Sequence, residues 1–280
     1  MSNFSLDAAI DHYCVMGNPV AHSKSPQIHK AFAEQTKQHL DYQVILVEEG
    51  GFPAALDEFQ RQGGMGLNIT VPFKGDAWEV CHDRTQRAER AQAVNTIWFG
   101  DDGVRHGDNT DGIGLIRDLT VNHQIKITGQ DVLILGAGGA VQGILELLLD
   151  QQPTRIVIAN RTLSRAEQLV QIFSDYDHLK ACGYDELEGK QFNIVINGTS
   201  ASLQGEVPPL PDKILTENAC CYDLMYSNVD TAFVRWAKSH NSLLALDGLG
   251  MLVEQAAESF YLWRGVLPET KAVIELLREQ

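Results

Sequence analysis

The middle of the chain alternates short apolar runs with longer segments of helical periodicity. Strands are predicted where the residues are almost continuously apolar, at 132–135, 155–159, 192–196 and 219–223. Such runs are typical of strands buried on both faces of a parallel sheet. Helical periodicity follows over 141–149, and a second helix is predicted from about Ser164, with Ser164 and Glu167 as its capping box. This alternation indicates an α/β domain built on a parallel sheet.

Predicted strands also alternate with predicted helices in the first hundred residues. The strands are predicted at 12–16, 41–47, 65–70 and 94–99. The helices are predicted near 26–38 and 53–62. Ser25 is the expected N-cap of the first helix, with Pro26 as its first helical residue. The turn at Asp101–Gly103 predicts the tip of a hairpin. This region is therefore expected to form another α/β domain.

The end of the chain is predicted to be helical over 250–264 and again from Pro268 onward. We therefore predict a first α/β domain over 1–111, an inserted α/β domain over 112–245, and C-terminal helices over 246–280 that return to the first domain.

Composition limits the class of protein and of partner. The chain has 280 residues, 44% hydrophobic and 21% charged, which is the balance of a globular protein with a sizeable core. Its formal charge of −15 argues against nucleic acid or an anionic membrane as a partner, because both would be repelled. No signal peptide or membrane span is predicted, and the five cysteines lack metal-ligand spacing. We expect a cytoplasmic protein without a metal ion, with free buried thiols at Cys220 and Cys221.

A glycine-rich segment joins the strand at 132–135 to the helix after it. It consists of Gly136, Ala137, Gly138, Gly139 and Ala140. Glycines at such a junction let the backbone approach a pyrophosphate, and the helix N-terminus supplies free N–H groups. Gly136 and Gly138 match the dinucleotide fingerprint, whereas Val141 occupies its third glycine position. The segment predicts a Rossmann-like dinucleotide site, and a tight turn without a ligand is the alternative.

The residues after the strand at 155–159 bear on the choice of nucleotide. NAD-binding folds usually place a carboxylate there, which binds the ribose hydroxyls and would repel a 2′-phosphate. This chain instead carries Asn160, Arg161, Thr162 and, one turn later, Arg165. Arginine is disfavoured at a helix N-terminus, which favours a ligand role over that of two solvated charges. The predicted cofactor is NADP.

Further polar clusters are not required by the predicted elements. They are Gly17–His29 (GNPVAHSKSPQIH), Asn68–Lys74 (NITVPFK), Ala93–Thr96 (AVNT), Gly107–Gly112 (GDNTDG) and Asp247–Gln255 (DGLGMLVEQ). Together with the glycine segment, these motifs resemble those of the shikimate dehydrogenase family over about residues 12–275.

The resemblance implies an NADP-dependent enzyme that reversibly reduces 3-dehydroshikimate to shikimate, in the biosynthesis of chorismate and the aromatic amino acids. It implies a substrate-binding domain over 1–111 and a Rossmann-like NADP-binding domain over 112–245. It also implies that Lys74 and Asp111 are the catalytic pair. A lysine beside a carboxylate can pass the hydroxyl proton and hold the oxygen while hydride moves to or from the nicotinamide. The sequence does not decide which of the two is the formal base.

The resemblance also implies contacts to both ligands. At the substrate they are Ser23, Ser25 and Tyr226 for the carboxylate and Asn68, Thr70, Asn95 and Gln255 for the ring hydroxyls. At the cofactor, Thr199, Leu224 and Gly248 join the glycine segment and the four residues at 160–162 and 165. Both ligands are expected to lie in a cleft between the domains.

Some of these residues have a structural alternative. Ser25 and Asp111 would each cap a helix, and Lys74 would be a solvated side chain. Their joint occurrence in one family pattern favours the functional interpretation. His22 and His29 are expected to be structural, because the proton transfer already has its pair.

Two departures from the family pattern bear on cofactor affinity. Ala201 and Ser202 stand where a Ser-Gly pair is frequent, and Leu224 stands where a methionine often contacts the nicotinamide.

Alternatives remain at this point. A quinate/shikimate dehydrogenase that uses NAD would be expected to have an acidic residue near position 160, where this chain has Asn160. A non-catalytic sensor would be expected to have lost Lys74 or Asp111, and both are present. A methylene-folate dehydrogenase-like enzyme is disfavoured by the two-serine motif. The assembly is expected to be a monomer or a homodimer.

Overall fold

The computed structural model describes residues 10–279, apart from the side chain of Leu203. Residues 1–9, which belong to the predicted first domain and to the segment without signal-peptide character, lie outside the described residues, as does Gln280. The chain forms two compact units. One contains the residues up to Thr110 together with Val253–Leu276, and the other contains Asp111–Leu252 with the residues from Leu277 on. The domain boundaries predicted at 111 and 245 stay predictions.

The first unit is built on a mixed sheet. Its elements up to the unit boundary are β1 (Asp11–Gly17), α1 (Ser25–Thr36), β2 (Leu40–Leu46), α2 (Phe52–Arg61), β3 (Gly64–Ile69), α3 (Lys74–Val80), β4 (Asp83–Arg84), α4 (Gln86–Ala91), β5 (Thr96–Phe99) and β6 (Arg105–Asp108). The strand order is β2-β1-β3-β5-β6-β4. Strands β1, β2 and β3 run parallel, whereas β5 is antiparallel to β3 and to β6. The predicted hairpin tip at Asp101–Gly103 joins β5 to β6.

One cap prediction in this unit is wrong. Helix α1 begins at Ser25 itself, and Lys24 is the N-cap without a side-chain hydrogen bond. The backbone N–H of Ser25 donates to Oγ of Ser23 at 3.2 Å, so the preceding serine satisfies a donor at the helix start. Ser25 is thereby left with its hydroxyl available for tertiary contacts.

The second unit is built on a parallel sheet. Its elements are α5 (Asp111–Arg117), a π-helical turn (Asp118–Asn122), β7 (Asp131–Leu135), α6 (Gly139–Leu149), β8 (Arg155–Ala159), α7 (Leu163–Ile172), β9 (Leu179–Cys182), a 3-10 turn (Tyr184–Leu187), β10 (Phe192–Asn197), a 3-10 turn (Ala201–Gln204), β11 (Leu215–Asp223), α8 (Ala232–Ser239) and β12 (Leu244–Leu246). The order β12-β11-β10-β7-β8-β9 reverses direction at β7, as in a doubly wound sheet.

Buried clusters cover both faces of this sheet, which explains the continuously apolar strands. On β7, Val132 and Ile134 belong to one cluster, and Leu133 and Leu135 belong to the other. The predicted two-domain α/β fold with a Rossmann-like second domain is confirmed.

Helix α7 differs from its prediction. It begins at Leu163 with Thr162 as N-cap and has no side-chain cap hydrogen bond, so the capping box of Ser164 and Glu167 is wrong. Ser164 lies one residue inside the helix, where its side chain cannot reach the donors that an N-cap serves.

The end of the chain is helical as predicted. Helix α9 (Leu249–Arg264) starts in the second unit and continues into the first, and α10 (Lys271–Arg278) follows. Over residues 10–279, no helix combines the length and apolarity needed to cross a bilayer. All five cysteines are free and buried, including Cys220 and Cys221.

Candidate active site

The turn after β7 requires glycine at Gly136. Its φ is +100°, a region that residues with a side chain rarely adopt. A Cβ there would lie 3.0 Å from Cγ2 of Thr199 and 3.3 Å from the carbonyl carbon of Gly198. The conformation and packing of the protein itself therefore account for this glycine.

Gly138 and Gly139 have no such internal explanation. Gly138 is the N-cap of α6, with φ −97°, and Gly139 is the first helical residue. A Cβ on either one would have no atom within 4 Å, and both residues are exposed. Open space beside the free N–H groups of a helix N-terminus fits the close approach of an anionic group from outside the chain. These residues therefore fit a pyrophosphate.

The missing third glycine of the fingerprint is compensated by another residue. Val141 is fully buried, and a Cβ on Gly198 would collide with its side chain. In the usual fingerprint the third glycine permits close helix–strand packing. Here the space is provided by Gly198, at the end of β10, and the valine fills it.

The end of β8 presents two exposed arginines. Neither Arg161 nor Arg165 has an ion-pair partner among residues 10–279. The Asn160 side chain donates to the backbone oxygen of Thr162 at 2.8 Å, which fixes the turn that carries them. Two unpaired guanidinium groups in a chain with a charge of −15 are suited to bind a phosphate.

Thr199 is held by a buried polar network. Its backbone N–H and its hydroxyl both donate to Oδ1 of Asn197, at 3.2 and 2.7 Å. Asn197 in turn donates from Nδ2 to Oδ1 of Asp223 at 2.9 Å. Hydroxyls of Ser202 and Thr231 donate to the other oxygen of Asp223, at 2.7 and 2.6 Å. The departure at Ser202 therefore supplies a hydrogen bond to this network.

Burial raises the pKa of Asp223, and the hydrogen bonds from Thr231, Ser202, the Met225 backbone and Asn197 oppose that shift. A buried carboxylate that accepts this many donors is a fixed anchor for the loop that carries Thr199.

The other predicted contacts of this unit lie after β11. Leu224 is buried, and its backbone N–H donates to the Asn197 oxygen at 2.9 Å. A Cβ on Gly248 would collide with the carbonyl oxygen of Leu224, so internal packing already accounts for this glycine. Tyr226 is half-buried, and burial raises its pKa.

In the first unit, three predicted substrate residues meet in one hydrogen-bonded cluster, which we call the amide cluster. It consists of Asn68, Asn95, Thr96, Thr110, Gln255 and Ser259. Asn68 donates from Nδ2 to the Asn95 backbone oxygen at 3.2 Å. Asn95 donates from Nδ2 to Oε1 of Gln255 at 3.3 Å, across 160 positions of sequence. Side chains this far apart in the chain converge here because β3, β5 and α9 pack together.

The two serines reach this cluster through Tyr42. The Tyr42 hydroxyl donates to Oδ1 of Asn68 at 2.7 Å. Burial raises the pKa of Tyr42 well above its usual value, and an interaction with the Ser25 hydroxyl opposes that shift. Ser23 lies next to Ser25 through the hydrogen bond at the helix start.

Thr70 and Lys74 lie at the end of β3. A Cβ on Gly17 would collide with the Thr70 side chain, so this glycine allows β1 and β3 to place their polar loops side by side. Lys74 is the first residue of α3 and is half-buried. Its backbone oxygen accepts from Val94 at 2.9 Å, which ties the lysine to the residue before Asn95.

The segment that leads to Asp111 is fixed by a buried ion pair. Asp108, which is 1% exposed, accepts from Nε and Nη2 of Arg87 at 2.7 and 2.5 Å. It also accepts from the backbone N–H of Asn109 at 2.6 Å. Two residues later, Thr110 donates its backbone N–H to Oδ1 of Asn95 at 2.9 Å. Asp111 itself is buried and begins α5.

Comparison with known proteins identifies the family. Models of the shikimate dehydrogenase substrate-binding domain, of shikimate/quinate 5-dehydrogenase and of the shikimate 5′-dehydrogenase C-terminal domain match residues 15–97, 119–204 and 248–278. The NADP(+)-dependent shikimate dehydrogenase of Alkalilimnicola ehrlichii is 56% identical over 270 residues, which cover 96% of this chain and 99% of that protein. The chain belongs to the shikimate dehydrogenase family.

Other members of the family are also similar to this chain over nearly its whole length. The shikimate dehydrogenase (NADP(+)) of Cellvibrio japonicus is 55% identical and covers 96% of this chain and 98% of its own length. The crystal structure of shikimate 5-dehydrogenase from Thermus thermophilus in complex with NADP(H) and shikimate has a TM-score of 0.85 and 29% identity. It covers 96% of this chain and 99% of that one.

Several residues of the site were missed by sequence reasoning. They are Tyr42 and Ser259 in the first unit and Asp223 and Thr231 in the second. Thr96 and Thr110 lie within the motifs AVNT and GDNTDG, but the sequence assigned them no role. Ser259 was detectable in principle, because it is a polar residue between the apolar Ala256 and Phe260 on a predicted helix. Tyr42 gave no signal, since an aromatic residue in a predicted strand is ordinary.

Proposed function

We propose that this chain catalyses the NADP-dependent, reversible reduction of 3-dehydroshikimate to shikimate, as a step in the biosynthesis of chorismate. The observation that carries the proposal is the convergence of the buried Asn68 and Asn95 with the half-buried Gln255, from distant parts of the sequence, in one hydrogen-bonded cluster. Amide groups offer both donors and acceptors, which suits a ring that bears several hydroxyls. The high identity to curated NADP-dependent relatives supports the same activity.

We propose Lys74 and Asp111 as the proton-transfer pair. The nicotinamide, when bound, exchanges hydride with the ring carbon. In the oxidation of shikimate, the pair takes the proton of the reacting hydroxyl. In the reduction of 3-dehydroshikimate, it returns a proton to the oxygen as negative charge develops there. The half-buried position of Lys74 and the buried position of Asp111 limit competition from water.

Around this pair, we propose that Ser23, Ser25 and Tyr226 bind the substrate carboxylate. Hydroxyl groups are suitable for this role because they donate hydrogen bonds to carboxylate oxygens. Thr70, with Asn68, Asn95 and Gln255, binds the ring hydroxyls.

For the cofactor, we propose that the segment Gly136–Ala140 binds the pyrophosphate and that Arg161 and Arg165 bind the 2′-phosphate. The open space at Gly138 and Gly139 and the unpaired arginines support these roles. Asn160 and Thr162 shape the turn that holds the arginines. Thr199, Leu224 and Gly248 complete the proposed cofactor contacts.

We further propose a cytoplasmic location, since five free, buried thiols suit a reducing compartment. A monomer and a homodimer remain the proposed assemblies, and sedimentation velocity distinguishes them.

The test is a set of initial rates of nicotinamide reduction, with shikimate or quinate as substrate and NADP or NAD as cofactor. Turnover chiefly with shikimate and NADP is expected. Comparable rates with quinate and NAD would instead identify a quinate/shikimate dehydrogenase. Binding of shikimate without turnover by any pair would favour a ligand sensor.

A further inference from the structure

Asn68 has little hydrogen-bonding capacity left for a ligand. The residue is 6% exposed, and its Nδ2 lies within 3.2 Å of three acceptors: the Asn95 backbone oxygen, Oγ1 of Thr96 and Oγ of Ser259. An amide nitrogen has two hydrogens, so these acceptors exhaust it. The amide oxygen has two acceptor positions, and Tyr42 occupies one of them. The single position left is an acceptor on Oδ1.

Tyr42 determines how that acceptor is presented. Its hydroxyl donates to Oδ1 at 2.7 Å, while the Asn95 carbonyl oxygen accepts from Nδ2 on the other side, and together they hold the amide with its oxygen toward Tyr42. The reversed amide would bring Oδ1 against the carbonyl oxygen of Asn95, which cannot donate. Without the tyrosine hydroxyl, Oδ1 would lose the donor at 2.7 Å that fixes it, while Nδ2 would keep its three acceptors, so the position of Oδ1 would be less tightly defined.

The ring of Tyr42 is itself held by His29. The two rings are stacked, with centroids 4.2 Å apart and planes 8° from parallel. His29 is fully buried, and neither of its ring nitrogens has a hydrogen-bond partner among residues 10–279. Its other ring neighbours are Phe32, Phe260 and Trp263. Because burial without a partner disfavours the charged form of the imidazole, His29 acts here as an uncharged aromatic ring that packs on Tyr42.

We propose that Tyr42, kept in place by His29, is a positioning residue for substrate recognition: it fixes the Asn68 amide so that Oδ1 accepts a hydrogen bond from a substrate hydroxyl. This inference rests on the proposed function, because it assumes that Asn68 contacts the substrate. It adds that Asn68 is the acceptor of the hydrogen bond in that contact, and that Tyr42 fixes the amide in this orientation.

The first test is the substitution Tyr42→Phe, which removes the hydroxyl and keeps the stacked ring. The KM for shikimate is expected to rise about five- to tenfold, the effect of one lost hydrogen bond. The kcat is expected to change less than about twofold, and the KM for NADP to stay constant, because the tyrosine acts through a binding contact.

The matched control is Tyr13→Phe. Tyr13 is another buried tyrosine of the same unit, stacked on Trp263 at 4.6 Å, but its hydroxyl accepts from Arg264 instead of contacting Asn68. Its KM for shikimate should stay within about twofold of the original value. Equal rises in KM for both variants would show a general packing effect and overturn the proposal.

A double-mutant cycle separates this inference from the proposed function. In an Asn68→Ala background, or Asn68→Ser if the alanine variant does not fold, Tyr42→Phe should raise KM less than about twofold further, because the group through which it acts is gone. The same five- to tenfold rise in both backgrounds would mean that Tyr42 acts independently of Asn68. If Asn68→Ala itself left the KM for shikimate unchanged, the failure would lie in the substrate assignment of Asn68.

Discussion

At the scale of single residues, Lys74 is placed where structure alone does not favour it. It is the first residue of helix α3, where the partial positive charge of the helix N-terminus disfavours a cation. The proposed role of Lys74 in proton transfer can therefore be tested by replacing it.

Replacing Lys74 with alanine tests that role. A proton-transfer group typically contributes 10²- to 10⁴-fold, so kcat for shikimate oxidation is expected to fall by about that factor. The KM for shikimate should change only about two- to threefold. Lys30→Ala, at an exposed position of α1, is the control and should behave like the unmodified enzyme. A loss seen only in KM would contradict the catalytic assignment.

Arg161 tests the choice of nucleotide. Arg161→Ala removes one charge-assisted hydrogen bond to the 2′-phosphate, worth about 1.5–3 kcal/mol, so the KM for NADP should rise about 10- to 100-fold. The KM for NAD, which lacks that phosphate, should hardly change. Arg235→Ala, at another exposed arginine of the second unit, serves as the control. Equal losses with both nucleotides would remove the assignment.

Residues with a local signature were accessible from the sequence, and residues defined by distant partners were not. The glycines near Gly136 follow a strand and precede a helix, so their context is visible within ten positions. The bond between Thr96 and Ser259, at 2.8 Å, joins positions 163 residues apart. No local pattern encodes such a partnership, since it depends on how α9 packs on β5.

At the scale of elements, strands of five or more residues were predictable, whether continuously apolar as β8 or mixed as β2, and several shorter strands were not. The bounds predicted for β8 are those observed, because every residue after Arg155 is buried on both faces of the sheet. Strand β9 was missed, because Leu179–Cys182 is an edge strand in which Lys180 is exposed. Both predicted N-caps were wrong for the same reason. A serine near the start of a helix does not reveal whether it lies before the first turn or inside it.

A hydrogen bond between Asn197 and Asp223 links the end of β10 to the end of β11. Asp223→Ala would remove both acceptor oxygens and leave the donors of Asn197, Ser202 and Thr231 without the acceptor they share. Because buried donors would lose their acceptor, we expect a loss of about 1–3 kcal/mol in the free energy of unfolding, measured by urea titration.

The same substitution should weaken NADP binding, because Asn197 would no longer be held in the position from which it fixes Thr199. Asp230→Asn, which disturbs only the exposed ion pair with Lys238, is the control and should change stability by less than about 0.5 kcal/mol. A loss of stability with unaltered NADP binding would argue against this network as the anchor of the loop.

At the scale of the whole molecule, acid stability depends on a residue that sequence reasoning could only class as structural. Desolvation lowers the pKa of His29 from 6.5 to about 3, and an interaction of the ring with the Asn68 side chain opposes that shift in part. Among residues 10–279, the ring and amide groups that contact the His29 ring carry no charge; they are Phe32, Tyr42, Asn68, Phe260 and Trp263. The folded protein therefore keeps His29 neutral at a pH where the unfolded chain binds a proton.

Below the unfolded pKa of about 6.5, this difference lowers stability by about 1.4 kcal/mol per pH unit, until the pH reaches the folded pKa of about 3. His29→Phe removes the titrating group and keeps an aromatic ring. Relative to the original protein, the free energy of unfolding of this variant should therefore improve by about 2 kcal/mol between pH 7 and pH 5. Urea titrations followed by tryptophan fluorescence measure this, with Trp263 only 5.2 Å from the His29 ring as a local reporter.

His22→Asn, at an exposed position, is the control and should leave the pH dependence as it is. A difference between His29→Phe and the original protein that is the same at both pH values would show that the folded protein accommodates a protonated His29, and that the aromatic surroundings of Tyr42 are not closed to charge.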